Sequence, residues 1–230
     1  MALFSRKRGS STEDPLMIFQ KAFRRICNEL INATFPFETR GFDLRIHFSA
    51  KLDRSTAHRI RLGNYVRLRK DARIEVLDSL EETGEPAIVM GDGTDIGSFS
   101  TISAKNSIHL EREVTLAQSV LIMDHGPAHE DVTIPIKDQG ITEGGRIRIE
   151  KGCFIGQGTA IVCDKGELVL GKNCVVAANS LVTRSFPPYC LIAGNPARVV
   201  QQFDPVNNEW ILGGTLARGK SSPAAPAKAR

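Results

Sequence analysis

The chain lacks the cysteine patterns that stabilise small domains or bind zinc, although it contains five cysteines. They are Cys27, Cys153, Cys163, Cys174 and Cys190. The number is odd and no pair has the CxxC spacing, which argues against a disulfide framework and a zinc ribbon. We therefore expect free thiols, as in the cytoplasm, and no metal site.

Long apolar runs are also absent. No segment approaches the roughly 20 apolar residues that span a bilayer, and the basic segment 1–15 lacks the apolar stretch and cleavage site of a secretory signal. The net charge of +4 is too small to suggest a nucleic-acid-sized basic face. Neither a P-loop nor a dinucleotide-binding glycine fingerprint occurs. These absences favour a cytoplasmic protein that binds no nucleic acid.

What the chain does contain is a six-residue repeat. Large aliphatic residues recur at every sixth position in five groups of three: Leu62, Leu68, Ile74; Met90, Ile96, Ile102; Leu110, Leu116, Ile122; Ile149, Ile155, Ile161; Leu170, Val176, Val182. Four residues after the first two members of each group stands a small or β-branched residue: Val66, Ala72, Thr94, Ser100, Val114, Val120, Cys153, Thr159, Cys174, Ser180.

A period of six fits neither an amphipathic helix nor the two-residue alternation of an ordinary strand. It is typical of a short strand followed by a tight corner, in which the large aliphatic residue points inward and the small residue fills the corner. Three such sides form one triangular coil, and stacked coils pair backbone to backbone. The repeat therefore predicts an all-β fold, a parallel β-helix of hexapeptide repeats. A sheet domain with a chance period of six is the alternative.

The extra residues between the groups always follow the third member, so every insertion is expected to leave the coil at the same corner. The longest insertion predicts a protruding loop over residues 124–146, and long loops on a regular scaffold are often functional. We expect an N-terminal arm over 1–45, the β-helix over 46–200, and a C-terminal tail over 201–230 with a disordered end.

Residues 14–33 are expected to form an amphipathic helix in the arm. Asp14 or Thr12 can cap it, and Pro15 suits its first turn. One face is apolar, and the opposite side carries cations: Leu16, Phe19, Phe23, Ile26, Cys27 and Leu30 against Lys21, Arg24 and Arg25. Two interpretations remain open. The helix packs against the open end of the solenoid or a neighbouring subunit, or residues 14–33 make a peripheral contact with a membrane surface.

Four segments resemble the hexapeptide-repeat acyltransferases, in particular the galactoside, maltose and polysaccharide O-acetyltransferases. They are MDHGPAH (123–129), IEKGCFIGQGTAIV (149–162), LGKNCVVAANSLVTRSFPPY (170–189) and AGNPARVV (193–200). The resemblance extends over residues 90–200 and hardly reaches residues 1–45. It implies a left-handed coil, which the period itself does not indicate, since crossover connections are generally right-handed.

The same resemblance implies a homotrimer with acetyl-CoA bound in clefts between adjacent β-helices. His125 matches the catalytic histidine of the family, a side chain suited to take a proton from a hydroxyl near neutral pH. The backbone amide of Gln157 matches the donor to the reaction's oxyanion. The family positions that contact coenzyme A are matched here by Gln157, Ala178, Thr183, Arg184 and Arg198. For Arg184, a solvated surface arginine is nearly as good an interpretation.

The expected activity is transfer of an acetyl group from acetyl-CoA to a sugar hydroxyl, in surface polysaccharide or lipopolysaccharide biosynthesis. The acceptor stays open, because the sugar-contacting asparagine of the galactoside enzymes has no clear counterpart near residues 97–100. An antibiotic or an amino-sugar nitrogen is the alternative acceptor. Two further alternatives are a γ-type carbonic anhydrase, with zinc on His109, His125 and His129, and a non-catalytic β-helix scaffold.

Overall fold

The computed structural model describes residues 14–77 and 85–212. One helix, α1 (Pro15–Thr34), precedes strands numbered β1 to β21 in chain order. The strands form three sheets, here called A, B and C, which the chain visits in turn.

Each sheet is a column of short parallel strands, one from each coil. Sheet A contains β1 (Thr39–Arg40), β4 (Ile60–Leu62), β7 (Ile88–Met90), β10 (Ser107–Leu110), β13 (Gly144–Ile149) and β16 (Lys165–Leu170). Sheet B contains β2 (Arg45–Ile46), β5 (Arg67–Leu68), β8 (Asp95–Ile96), β11 (Thr115–Leu116), β14 (Phe154–Ile155), β17 (Val175–Val176) and β19 (Cys190–Gly194). Sheet C contains β3 (Lys51–Leu52), β6 (Arg73–Val76), β9 (Thr101–Ala104), β12 (Leu121–Met123), β15 (Ala160–Val162) and β18 (Leu181–Val182).

The six-residue repeat sets the register between coils. Ile122 lies opposite Ile102 on one side and Ile161 on the other, so inward aliphatic residues stack in columns. All fifteen aliphatic and all ten corner positions of the repeat are at most 2% exposed. Each fully buried aliphatic side chain contributes roughly 1.5–3 kcal/mol relative to an exposed one. The predicted parallel β-helix is confirmed.

The polar residues at the corner positions are buried with their hydrogen bonds satisfied. The Ser100 hydroxyl donates to the Ala117 carbonyl at 3.0 Å, and the Thr159 hydroxyl donates to the Ala177 carbonyl at 3.1 Å. The thiol of Cys153 occupies an equivalent corner and contacts the Gly171 carbonyl oxygen at 3.2 Å. All five cysteines are free, as expected. Burial raises the pKa of Cys190 to about 11, which keeps this thiol protonated and unreactive.

The ends of the solenoid are covered in different ways. At the N-terminal end, the Asn28 amide donates to the Leu44 carbonyl at 3.1 Å and accepts from the Ile46 N–H at 2.7 Å, so α1 occupies the free edge of β2. At the other end, β20 (Ala197–Asp204) and β21 (Glu209–Leu212) extend sheet B as an antiparallel hairpin. Residues 213–230, which include the tail end expected to be disordered, lie outside the described residues.

Helix α1 lies where the sequence predicts it, within one residue at each end. The Asp14 carboxylate caps it by accepting the Leu16 N–H at 2.9 Å. The alternative cap, Thr12, lies outside the described residues. No helix in the described ranges is long and apolar enough to cross a membrane.

Every insertion leaves at the corner between sheets C and A, as the spacing predicts. The longest connects β12 to β13 over residues 124–143 and contains a short 3₁₀ helix, Ile136–Asp138. The other two corners are tight turns, and glycines allow the coils to approach there. A Cβ atom on Gly97 would collide with the Ala117 carbonyl of the next coil.

We expect Gly97→Ala to destabilise the fold, because the added methyl group meets backbone that is fixed by coil pairing. The loss should be about 1–3 kcal/mol in the free energy of unfolding, measured by urea denaturation. Gly126→Ala is the matched control, since its Cβ would come no closer than 3.9 Å to the nearest atom, Asp164 Cβ. Equal stability of the two variants would contradict the proposed packing of the corner.

Candidate active site

A buried carboxylate lies where the chain leaves sheet C to enter the long loop. Asp124 is completely buried, directly after β12. Its carboxylate accepts three backbone N–H groups from the corresponding turn of the preceding connection, those of Lys105 at 2.7 Å, Asn106 at 2.8 Å and Ser107 at 2.8 Å. A buried carboxylate is costly unless such donors surround it. The coil stack supplies them, because it brings residues 105–107 alongside residue 124.

His125 lies beside this carboxylate and is 7% exposed. Its Nδ1 atom is 3.1 Å from Asp124 Oδ1. Because both carboxylate oxygens already accept N–H groups, we assign the ring proton to Nδ1, which donates to Asp124. Nε2 is then left with a free lone pair and can accept a proton. Asp124 therefore orients a basic nitrogen at the foot of the loop.

Sequence reasoning missed Asp124. The signal was present, since an aspartate directly before the histidine at the end of an inward-facing strand has to be either exposed or fully paired. Nothing in the sequence indicated that the turn at 105–107 would point three N–H groups at it.

The two ends of the loop are fixed around His125. The Gly126 N–H donates to Thr142 Oγ1 at 3.1 Å, and the Thr142 N–H donates to the Gly126 carbonyl at 2.8 Å. Lys105 Nζ donates to the Thr142 carbonyl at 2.5 Å. The middle of the loop remains exposed and is partly apolar, with Val132 95% exposed and Ile136 49% exposed.

Three of the expected coenzyme A residues lie along a different edge, the corner between sheets B and C. Gln157 and Ala178 occupy matching places on adjacent coils, where the Asn179 N–H donates to the Gln157 carbonyl at 2.8 Å. Arg198 pairs with Ala193 at the end of β19 and is exposed, with its guanidinium 2.9 Å from the Ala197 carbonyl. These residues form one column on the outside of the solenoid.

The N–H groups at this edge are available to a ligand. In the described parts of the chain, no protein acceptor takes the N–H of Gln157, and the same holds for Ser98, Gln118 and Ala178 at the matching corners. The β-helix thus presents a row of outward donors. The N–H of Gln157 is therefore available to a ligand. The equivalent N–H groups on the neighbouring coils are available in the same way, so the regular fold does not single out Gln157.

Thr183 and Arg184 lie at the other corner of sheet C, on the same side as His125 and two coils further along. Both are exposed, and the Arg184 guanidinium carbon lies 5.1 Å from the Phe186 ring centroid. The expected site residues therefore fall into two columns separated by sheet C, on the order of 15 Å within one chain. A single chain does not bring His125 and Gln157 together.

The histidines considered as zinc ligands do not form a cluster. His109 lies on β10 in sheet A, whereas His125 and His129 belong to the loop. Burial is the main cause that lowers the pKa of His109, and the positive charge of Arg148 lowers it further. Across residues 14–77 and 85–212, no three histidine, cysteine, aspartate or glutamate side chains are grouped so as to hold one ion.

Comparison with known proteins places the chain among relatives of similar repeat structure. Residues 146–184 match the family model described as the hexapeptide repeat of succinyl-transferase. The chain is 30% identical over 117 residues to the probable acetyltransferase Rv3034c of Mycobacterium tuberculosis, which covers 51% of this chain and 38% of that protein. It is 26% identical over 135 residues to the putative lipopolysaccharide biosynthesis O-acetyl transferase WbbJ of Escherichia coli, with 57% and 68% covered.

The chain is similar to the hexapeptide-repeat family over residues 146–184. Among solved structures, a mutant of AntD, an N-acyltransferase from Bacillus cereus in complex with dTDP and coenzyme A, matches with a TM-score of 0.60 and 19% identity. The match covers 78% of this chain and 90% of that one. The left-handed parallel β-helix that the resemblance implied is thereby confirmed as the fold of this chain. Its sequence spans only 38% of the length of the mycobacterial relative.

We expect Asp124→Asn to weaken the fold and change the imidazole tautomer. At the Oδ1 position the amide NH₂ group would face the Lys105 N–H and His125 Nδ1, and at the Oδ2 position it would face the N–H groups of Asn106 and Ser107. At least one buried hydrogen bond is therefore lost, at a cost of about 1–3 kcal/mol. Facing His125, it would make Nδ1 an acceptor and move the ring proton to Nε2. Nitrogen NMR of labelled histidine reports the tautomer, and urea unfolding reports the stability.

The control for this substitution is Asp138→Asn in the exposed part of the loop, where the carboxylate forms an ion pair with Lys137 at 3.3 Å. An unchanged tautomer and stability in Asp124→Asn would show that Asp124 does not orient the histidine.

Proposed function

We propose that this protein is an O-acetyltransferase that moves an acetyl group from acetyl-CoA to a sugar hydroxyl. The observation that carries the proposal is the buried Asp124–His125 pair at the foot of the long loop, with Nε2 left as a base. One relative supports transfer to a hydroxyl, since WbbJ is named as a putative lipopolysaccharide biosynthesis O-acetyl transferase. Surface polysaccharide or lipopolysaccharide biosynthesis is the process we assign.

The chemistry follows from the roles of the groups. His125 Nε2 takes the proton from the acceptor hydroxyl while its oxygen attacks the thioester carbonyl carbon. The resulting oxyanion accepts the outward N–H of Gln157. When the carbon–sulfur bond breaks, the imidazolium returns the proton to the departing thiolate, so the histidine is ready for another cycle. Asp124 acts as a positioning residue that holds the ring.

The separation of the two columns bears on assembly. We propose a homotrimer in which the edge of one subunit carrying Gln157, Ala178 and Arg198 faces the His125 corner of the next. Such an arrangement would complete the site that one chain leaves divided. Arg198 would meet the phosphates of coenzyme A, for which an arginine fork is well suited. Thr183 and Arg184 would contact the cofactor bound at their own subunit's corner.

The proposal also specifies the class of acceptor, a sugar hydroxyl. A sugar hydroxyl needs a base as it attacks, which gives His125 a function. AntD, an N-acyltransferase described in complex with dTDP, supports the alternative of an amino-sugar nitrogen on a nucleotide-linked sugar. A transfer assay with free sugars, nucleotide-linked sugars, lipid-linked glycans, amino sugars and antibiotics separates these classes. Transfer to nitrogen only would favour the alternative.

His125→Ala should abolish the base while leaving the fold and acetyl-CoA binding intact, because the side chain lies outside the columns of inward aliphatic residues. We expect kcat to fall about 10²–10⁴-fold and the Kd for acetyl-CoA to remain unchanged. Calorimetry measures the binding, steady-state kinetics the rate, and light scattering the mass of the assembly.

The control is His129→Ala, which removes an exposed histidine from the same loop whose Nδ1 only approaches the Pro127 carbonyl at 3.2 Å. A folded His125→Ala protein with the kcat of the wild type would refute the mechanism.

Arg198→Ala should weaken acetyl-CoA binding and spare turnover at saturation. The phosphates lie far from the thioester, so the lost contact affects ground state and transition state about equally. A charge-assisted contact of roughly 1–3 kcal/mol corresponds to a rise in KM of about one to two decades. Arg112→Ala, which removes an exposed arginine from the corner between sheets A and B, is the control. If both variants keep the KM of the wild type, Arg198 has been assigned wrongly.

A further inference from the structure

Helix α1 leaves most of its apolar residues uncovered. It contacts the β-helix through Asn28, Asn32, the partly buried Ile31, the Phe23 ring, whose centroid lies 5.6 Å from that of Phe48, and the Thr34 carbonyl, which accepts from Arg54 at 2.8 Å. Its large apolar side chains elsewhere are 46–67% exposed: Leu16, Met17, Ile18, Phe19, Phe23, Ile26 and Leu30. The expectation that the helix packs against the end of the solenoid therefore holds for its polar contacts, for Ile31 and for the edge of Phe23, and not for the rest of its apolar side chains. Exposed apolar surface of this extent on one element indicates an interaction site.

A groove rich in cations lies beside the helix, between α1 and the outer face of sheet B. Its volume is about 640 Å³. Six cationic side chains line it: Arg24, Arg25, Arg45, Arg67, Arg69 and Lys70. They come from the helix and from the first two coils, so only the folded chain assembles them. We call α1 and this groove together the basal surface.

The positive charge of the basal surface is only partly neutralised. Asp95 pairs with Arg69 at 2.6 Å, and Asp43 pairs with Arg45 at 3.2 Å. Within the described parts of the chain, Arg24, Arg25 and Lys70 have no carboxylate within ion-pair distance. Six cations against two carboxylates is a large local excess for a chain whose net charge is +4.

We infer that the basal surface docks on an anionic phospholipid bilayer. Apolar side chains of α1 would enter the boundary between headgroups and acyl chains, as amphipathic helices do. Arginine and lysine within a Debye length of the lipid phosphates, about 8 Å at physiological ionic strength, would add attraction. A second copy of this chain is the less suitable occupant, because a symmetric contact would bring the same uncompensated cations together.

Docking through the basal surface would set the height of the proposed active site above the membrane. His125 follows the fourth coil, so three coil spacings, roughly 14 Å, separate its level from that of the first coil. A glycan carried on a lipid would extend past the first coils toward that level. The docking itself does not rest on the proposed acetyl transfer, because vesicle binding is measured without a substrate.

The test is flotation of the full chain with vesicles of phosphatidylcholine alone and of phosphatidylcholine with phosphatidylglycerol. We expect binding to the anionic vesicles that weakens as salt is raised. The double variant Phe19→Asp with Ile26→Asp should lose about tenfold or more in partitioning. The double variant Arg24→Glu with Arg25→Glu should lose a similar factor or more, and only on anionic vesicles.

Matched controls separate these effects from general changes in surface character. Val132→Asp alters an exposed apolar residue of the long loop, and Arg112→Glu reverses an exposed charge away from the basal surface. Both controls should bind vesicles like the wild type. Circular dichroism would verify that each variant keeps its β-structure.

Three results would overturn the inference. The first is a wild-type chain that never floats with anionic vesicles. The second is equal loss of binding in the control variants. The third is a fall in assembled mass by light scattering for Phe19→Asp with Ile26→Asp while vesicle binding persists, which would assign the apolar side of α1 to a neighbouring subunit. None of these results bears on the His125 measurements.

Discussion

Each coil of this protein is attached to the next by parallel backbone hydrogen bonds, and the register of that pairing is set by the inward aliphatic residue of every side. Because Ile102, Ile122 and Ile161 stack directly above one another, no coil can slip without moving a column of side chains out of the core. The corners, the exits and the relative heights of all outward groups follow from this one constraint. The Asp124–His125 pair depends on it as well, since the stacking alone brings residues 105–107 against the carboxylate.

Much of the fold could be predicted because the repeat is a local signal that recurs many times. A single residue such as Leu62 or Val176 does not indicate the fold. The six-residue spacing within each group of three implies a triangular coil, and the extra residues after each group identify the corner at which the insertions leave. Helix α1 could also be predicted from a local signal, since Asp14 and Pro15 mark its start. Handedness was different, because a period of six fits either hand and only the resemblance to known proteins suggested one.

The site was harder to predict, for reasons of geometry. His125 could be identified from its motif, but its orientation depends on Asp124 and on three N–H groups that lie 17 to 19 residues before Asp124 in the chain. The expected cofactor residues are close in sequence to one another, yet Ala178 and Thr183 lie at opposite ends of a strand in sheet C. Likewise, the cations of the basal surface come from α1, from β2, from β5 and from the turn after β5, and no stretch of sequence shows them as a group.

The single exit corner has a consequence for how such a protein can change. Residues 124–143 leave and re-enter the solenoid at adjacent points, and the hydrogen bonds between Gly126 and Thr142 close the loop at its base. The segment between these bonds, residues 127–141, can therefore vary in length and composition without disturbing any inward column, any coil-to-coil pairing or the contacts of Asp124. The surface that the loop presents and the stability of the scaffold are encoded in separate stretches of the chain. A lineage built on this plan can vary that surface through one segment while the remainder stays nearly constant.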